Sequence, residues 1–205
     1  DVDPMTGNID PQQVEQAVHD LTFSRAAAQK WLPPKGVSDS GQLKGMIAID
    51  VFGQPADFDA LRKITNPFQL KVIEDSCEAL GAEYKNRKAG TLGDFGVFAF
   101  YPNKQITTGE GGLVITNHDE DADKIRAMRN QGRAPGDTWL EHTYLGYNYR
   151  MDELSAALGA AQMKRIQELM AARQRVADWY RAELSSVPGI TCPVVAPTTT
   201  RSSWF

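Results

Sequence analysis

Val72-Ile73-Glu74-Asp75-Ser76-Cys77-Glu78-Ala79-Leu80-Gly81 and Phe98-Ala99-Phe100-Tyr101-Pro102-Asn103-Lys104-Gln105-Ile106-Thr107-Thr108-Gly109-Glu110-Gly111-Gly112 are the two stretches that decide the fold. Each reads as a buried apolar strand ending in one chemistry-bearing polar residue, Asp75 in the first and Lys104 in the second. In open α/β sheets ligands bind at the carboxyl ends of strands, so both residues are expected at a site. Working outward, residues 46–51, 70–74, 96–100 and 112–116 read as strands. Residues 11–21 form a helix candidate, with Val14, Ala17, Val18 and Leu21 at helical spacing. Asp57 is placed to cap a helix over 58–65. A short helix is expected over 76–80, and further helices over 119–130, 151–166 and 167–184, the last ended by Pro188-Gly189. Met151, Leu154, Leu158, Ala161, Met163 and Ile166 mark the apolar side of the 151–166 helix. Residues 24–45, with Pro33, Pro34, Gly36, Ser38, Ser40 and Gly41, read as a loop. Strands alternating with helices predict an α/β fold with a mainly parallel sheet flanked by helices.

The composition narrows the function classes. The chain has 205 residues, 41% hydrophobic and 23% charged, an ordinary globular balance. A net charge of -4 argues against a nucleic-acid partner. No apolar run approaches the roughly 18 residues needed to span a bilayer, and no secretory signal is visible at Asp1. The two cysteines, Cys77 and Cys192, make no disulfide framework, so a cytoplasmic setting is expected. His19, His118 and His142 have no metal spacing, and no metal site is expected. Cys77 reads as a small packing residue. The tryptophans Trp31, Trp139, Trp179 and Trp204 read as packing residues too, with Trp139 and Tyr144 the least fixed.

A carboxylate and a lysine at neighbouring strand ends are what pyridoxal-phosphate chemistry requires. The lysine forms a Schiff base with the cofactor and the carboxylate partners the pyridinium nitrogen. Asp75 is equally placed to cap the expected 76–80 helix, where Glu78 would favour the helix dipole. The glycine-rich turn 107–112 lacks a following helix. It is read as a close backbone passage and reversal rather than a phosphate loop.

The two quoted runs resemble the sugar aminotransferases of the DegT/DnrJ/StrS family, which have the fold type I pyridoxal-phosphate architecture. The resemblance extends over residues 1–188 and is densest over 72–162. It implies a pyridoxal-phosphate-binding large domain over residues 1–185 and the start of a small α+β C-terminal domain over 186–205. Family members are longer at both ends, so a fragment is expected. The resemblance assigns the catalytic lysine to Lys104 and the ring-nitrogen carboxylate to Asp75. It places Glu78 on the side of the ring's 3′-oxygen, where many members carry Gln or His. Asn148 and Arg150 are assigned to phosphate contacts in the site of a second subunit, which implies a homodimer. Ala99 departs from the family, because many members have there a serine that binds the phosphate. The upstream Gly-Thr/Ser phosphate turn is absent from these residues.

The function so implied is transfer of an amino group from L-glutamate to a nucleotide-linked keto-sugar, in amino-sugar or polysaccharide biosynthesis. Lys104 would anchor the cofactor and then carry the proton that transamination moves. Two alternatives stay open. One is a sugar dehydratase of the same family, whose members typically replace the lysine by histidine. The other is a non-catalytic relative that binds pyridoxal phosphate or a sugar nucleotide for regulation.

Overall fold

The computed structural model describes residues 1–33 and 41–203. Pro34, Gly36, Ser38 and Ser40 of the expected loop, and Trp204, lie outside the described residues. In chain order the elements are α1 (Pro11–Phe23), α2 (Arg25–Ala28), β1 (Gly45–Ile49), α3 (Phe58–Thr65), β2 (Lys71–Asp75), β3 (Glu83–Tyr84), β4 (Arg87–Lys88), β5 (Phe95–Ala99), β6 (Gly112–Thr116), α4 (Asp119–Arg129), α5 (Glu153–Met163), α6 (Ile166–Leu184) and β7 (Thr199–Thr200).

Four strands form the main sheet in the order β1-β2-β5-β6. β1, β2 and β5 run parallel, with Ile49 opposite Asp75 and Asp75 opposite Val97. Their carboxyl ends therefore share one edge. β6 is antiparallel to β5, because the 107–112 turn sends the chain straight back, whereas a parallel return needs a long crossover. Gly109 and Gly111 in that turn have φ of +82° and +153°, which suits the expected reversal.

α1 and α3 cover one face of the sheet. Val14 and Val18 from α1 and Phe58 and Leu61 from α3 pack with Ala48, Val72, Tyr84 and Leu92 in a single core. Asp10 caps α1 by accepting from the Gln12 amide, and Pro11 starts the helix where no amide is needed. Asp57 caps α3 as its sequence implies. The Arg62 guanidinium ties α3 to the β2–β5 connection, 2.9 Å from Asp94 and also donating to the Leu92 carbonyl.

Beneath that layer Glu74 is fully buried. Its carboxylate accepts the amides of Gly90 (2.6 Å), Leu92 (2.7 Å) and Gly93 (3.1 Å). The turn carrying these amides lies so close to β5 that a Cβ on Gly96 would stand 2.0 Å from the Gly90 carbonyl oxygen. Asp50, just past β1, is buried too. It accepts the Ala56 amide (3.0 Å) and the Ser76 hydroxyl (2.8 Å). Burial first, and then the charge of Glu74, push the Asp50 carboxyl up to about 8.

Four expectations are corrected. Residues 76–80 form tight turns, not a helix: the Ala79 amide donates to the Ser76 carbonyl and the Ala82 amide to the Ala79 carbonyl. The Ser76 amide donates to the Val97 carbonyl and its hydroxyl to Asp50, which ties the start of these turns to β5 and to the residue just past β1. Asp75 and Glu78 thus have no helix end to serve. The expected loop 24–45 holds α2 and a 3₁₀ turn over Gln29–Trp31, because Ser24 caps the Ala27 amide and the Trp31 indole donates to Asp20. The 151–166 helix is shorter, since Asp152 caps it by accepting from Leu154 and Ser155. Its apolar side is exposed in this chain, with Leu154 84% accessible. Trp139 and Trp179 are exposed rather than packed inside. β3 and β4 form a hairpin the sequence reading passed over; Lys85 and Asn86 both take positive φ, as a tight two-residue turn demands.

The Asp50 shift has a defined consequence for stability. Between about pH 4 and pH 8 the folded chain keeps a proton that the unfolded chain has shed, so stability falls as pH rises through that window and levels above it. Asp50→Asn keeps an acceptor for Ala56 but cannot ionise. Urea denaturation from pH 5 to pH 8 is expected to lose much of its downward slope in this variant; an unchanged slope would refute the account.

Candidate active site

The site is built at the shared edge of β1, β2 and β5. β2 delivers Asp75 at its last residue. The Asp75 carboxylate accepts the Cys77 amide at 3.1 Å, and no cation pairs with it among the described residues. Three residues beyond Asp75, the turn presents Glu78. Its Oε2 accepts the Phe52 amide at 2.9 Å, and its Oε1 lies 3.4 Å from Lys104 Nζ. Phe52 adopts the left-handed region, φ 54°, which aims its amide at that carboxylate.

Lys104 does not end a strand as expected. It lies in the loop beyond β5, with its amide donating to the Tyr101 carbonyl. The loop is held from several sides. Gln162 of α5 accepts the Thr107 amide at 3.1 Å and donates to the Thr107 carbonyl. Arg173 of α6 donates to the Lys104 carbonyl at 3.0 Å. Gln105 donates to the Glu78 carbonyl and to the Ser202 hydroxyl. These bonds keep the lysine side chain against the protein, 14% exposed, with Glu78 as its counter-charge.

Chain order and two contacts gather these groups: Cys77 donates its amide to Asp75, and the next residue, Glu78, faces Lys104. Burial pushes the Cys77 thiol up to about 12, helped by the Asp75 and Glu78 charges and opposed by Lys104. A thiol so far from ionising is no nucleophile at neutral pH.

Asn148 and Arg150 are not brought there. Both are exposed. Asn148 bridges to Asn130, Arg150 Nη1 donates to Asn130 Oδ1 at 2.9 Å, and the Tyr147 and Tyr149 amides donate to Met128 and Arg129 at the end of α4. A cavity of about 990 Å³ runs along this side, between β6, α4 and the 147–152 segment, and contains none of the Asp75 group. Among the described residues no cluster of three or more His, Cys, Asp or Glu could hold a metal ion. No helix among them is long and apolar enough to cross a membrane.

Sequence reasoning missed the residues that hold the site together: Phe52, Gln105, Gln162, Arg173 and Ser202. Gln105 adjoins Lys104, but the sequence around it (Asn103, Lys104, Thr107, Thr108) is polar and does not single it out. The others are separated from Lys104 by tens of residues, and nothing in the linear pattern marks them.

A parallel α/β sheet with a lysine and an acid at its carboxyl edge, in this arrangement, is the large-domain architecture of fold type I pyridoxal-phosphate enzymes. The chain belongs to the DegT/DnrJ/EryC1/StrS aminotransferase family, whose profile matches residues 1–205. That family is pyridoxal-phosphate-dependent. The chain is 37% identical to the GDP-perosamine synthase of Caulobacter vibrioides over 206 residues, covering 100% of this chain and 50% of that protein. It is 32% identical to the UDP-4-amino-4,6-dideoxy-N-acetyl-beta-L-altrosamine transaminase of Campylobacter jejuni over 161 residues, covering 78% of this chain and 43% of the relative. A DegT DnrJ EryC1 StrS aminotransferase from Brucella abortus superposes with a TM-score of 0.82 at 30% identity, over 100% of this chain and 50% of that one. The GDP-4-keto-6-deoxy-D-mannose-3-dehydratase of E. coli with bound hydrated PLP superposes with a TM-score of 0.75 at 27% identity, again over 100% and 50%. The chain thus spans about half the length of the relatives it matches.

The thiol makes a direct test of this geometry. Iodoacetamide at pH 7.5 is expected to label Cys77 on the order of a hundredfold more slowly than a free thiol. Peptide mass mapping checks it, and rapid labelling would mean an open, ionised cysteine.

Proposed function

We propose that this chain carries the lysine-bearing part of an aminotransferase that moves an amino group from L-glutamate to a nucleotide-linked keto-sugar. The single observation behind the reading is the edge arrangement: an Asp75 carboxylate with no cationic partner among the described residues, and a largely covered Lys104 amine set against Glu78, three residues beyond Asp75. The names of the Caulobacter and Campylobacter relatives support a nucleotide-sugar substrate.

The residues present fit the ring end of pyridoxal phosphate. Asp75 offers a half-buried negative charge at a strand end, suited to a protonated ring nitrogen. Lys104 offers a primary amine a short way along the same edge. Ala99 offers no hydroxyl to a phosphate, so the phosphate contacts rest on Asn148 and Arg150 of a second subunit and on backbone amides of a helix end. When bound, the cofactor supplies an aldehyde for the amine and a ring that withdraws the electron pair freed at the donor's α-carbon.

The side chains do the rest. Lys104 Nζ anchors the cofactor, and once displaced by the donor amine it carries the proton taken from the donor's α-carbon. Glu78 Oε1 sits where it can take up the proton that Nζ must shed to act as a base. The Phe52 amide holds the other Glu78 oxygen, so the carboxylate keeps its aim. Retention of Lys104 favours this reading over a sugar dehydratase. Exposed Trp139, Leu140, Leu145 and Leu154 give a surface on which a second subunit would close the site. We place the enzyme in the cytoplasm, where nucleotide sugars are made.

Incubation with pyridoxal phosphate followed by borohydride reduction is expected to leave a pyridoxyl adduct on Lys104. Lys104→Ala is expected to abolish turnover, and Asp75→Asn to lower it by at least about a hundredfold. Retained transamination in Lys104→Ala would sink the assignment.

A further inference from the structure

The bonds that orient Lys104 and Glu78 converge on a segment from the far end of the chain. Gln105, the neighbour of Lys104, is 5% exposed, and Ser202 is 1% exposed. Gln105 Nε2 donates to the Glu78 carbonyl and, at 2.9 Å, to Ser202 Oγ. Ser202 Oγ in turn donates to the Leu80 carbonyl at 2.8 Å, so the hydroxyl both accepts and donates. The Ser202 amide donates to the Gly53 carbonyl at 2.8 Å.

The residues on either side add ties. Arg201 Nε donates to the Phe52 carbonyl at 2.8 Å, and the amide of the same Phe52 holds Glu78 Oε2. Ser203 donates to Gln174 of α6, next to the Arg173 that grips the Lys104 carbonyl. Contact is tight: Gly53 has φ of +80°, and a Cβ there would lie 1.9 Å from the Ser202 carbonyl oxygen. Any other residue at Gly53 would force the tail off the site.

We propose that Gln105 and Ser202 form a buried clamp that positions Lys104 against Glu78, making the 201–203 segment a working part of the lysine's site. Both are positioning residues: they act on Nζ through the Glu78 backbone, the Phe52 peptide and the lysine loop. Gln105 Nε2 donates twice and Ser202 Oγ both accepts and donates, so losing either side chain strands a buried donor or acceptor. The inference rests on the reading of Lys104 as the cofactor lysine, and its test separates the two.

In the full-length protein, Ser202→Ala and Gln105→Leu are compared with wild type and with Ser202→Thr, which keeps the hydroxyl. Hydrogen exchange of cofactor-free protein is expected to speed up about tenfold over residues 100–108 in the first two variants. The borohydride-trapped pyridoxyl label on Lys104 is expected to form about tenfold more slowly in both. Ser202→Thr is expected to restore both readouts. Faster exchange confined to 196–203, with labelling of Lys104 unchanged, would overturn the clamp. If Ser202→Ala does not fold, Gln105→Leu breaks the same bond from the other side. A wild-type protein that takes no label on Lys104 would overturn the cofactor reading instead, and the exchange data would still decide the clamp.

Discussion

Glu74 is a carboxylate with no access to water, and much of the fold is arranged to satisfy it. Three amides of one turn converge on its oxygens. That turn leads into β5, so binding it fixes where β5 begins relative to β2. The register in turn places Val97 opposite Asp75 and lets the Val97 carbonyl take the Ser76 amide. An apolar residue at 74 would leave the Gly90, Leu92 and Gly93 amides without this acceptor, a cost larger than the net worth of a single typical hydrogen bond. Burial and then the charge of Glu74 raise the Asp50 carboxyl to about 8, so Asp50 keeps its proton at neutral pH.

From that anchor the chemistry-bearing groups are distributed over two kinds of support. Asp75 sits on a strand and inherits the rigidity of the sheet. Lys104 sits on a loop and has no ladder of its own, so it borrows order from α5 through Gln162, from α6 through Arg173 and from the tail through Ser202. The division suits the tasks. On the proposed reading, a ring-nitrogen partner would need only to stay in place, whereas an amine that binds, releases and moves a proton would need freedom at its tip with a fixed base.

The surface away from this edge is incompletely covered. Ile47 and Leu113 on the sheet and Leu154 and Leu158 on α5 are exposed. Apolar area of that extent is unusual for a finished surface, and it accords with a chain that spans about half of its relatives. Leu154 and Leu158 were legible as one face of a helix from their spacing. What they face was not, because periodicity reports that a face is apolar and is silent on what packs against it.

The linear order of residues by itself determined the strands around Asp75 and before Lys104, the cap at Asp57 and the reversal at Gly109 and Gly111, and it proposed Asp75 and Lys104 as the acid and the amine. These are local properties: strand and helix patterns repeat within a few residues, and glycine and cap preferences act on their own backbone. The expected helix at 76–80 gives way to i-to-i+3 turns whose first residue, Ser76, is bonded to Asp50 just past β1 and to Val97 of β5, residues distant in sequence. The strand-end position of Lys104 failed because β5 stops at Ala99 and the glycine-rich reversal sets the path beyond it. Only the tertiary structure decided that Glu78 faces Lys104, that Gln105 meets Ser202, and that Arg173 and Gln162 hold the loop. Those pairings join residues 26, 97, 69 and 55 positions apart, and a hydrogen bond between such distant residues exists only once the sheet and the core have brought them together.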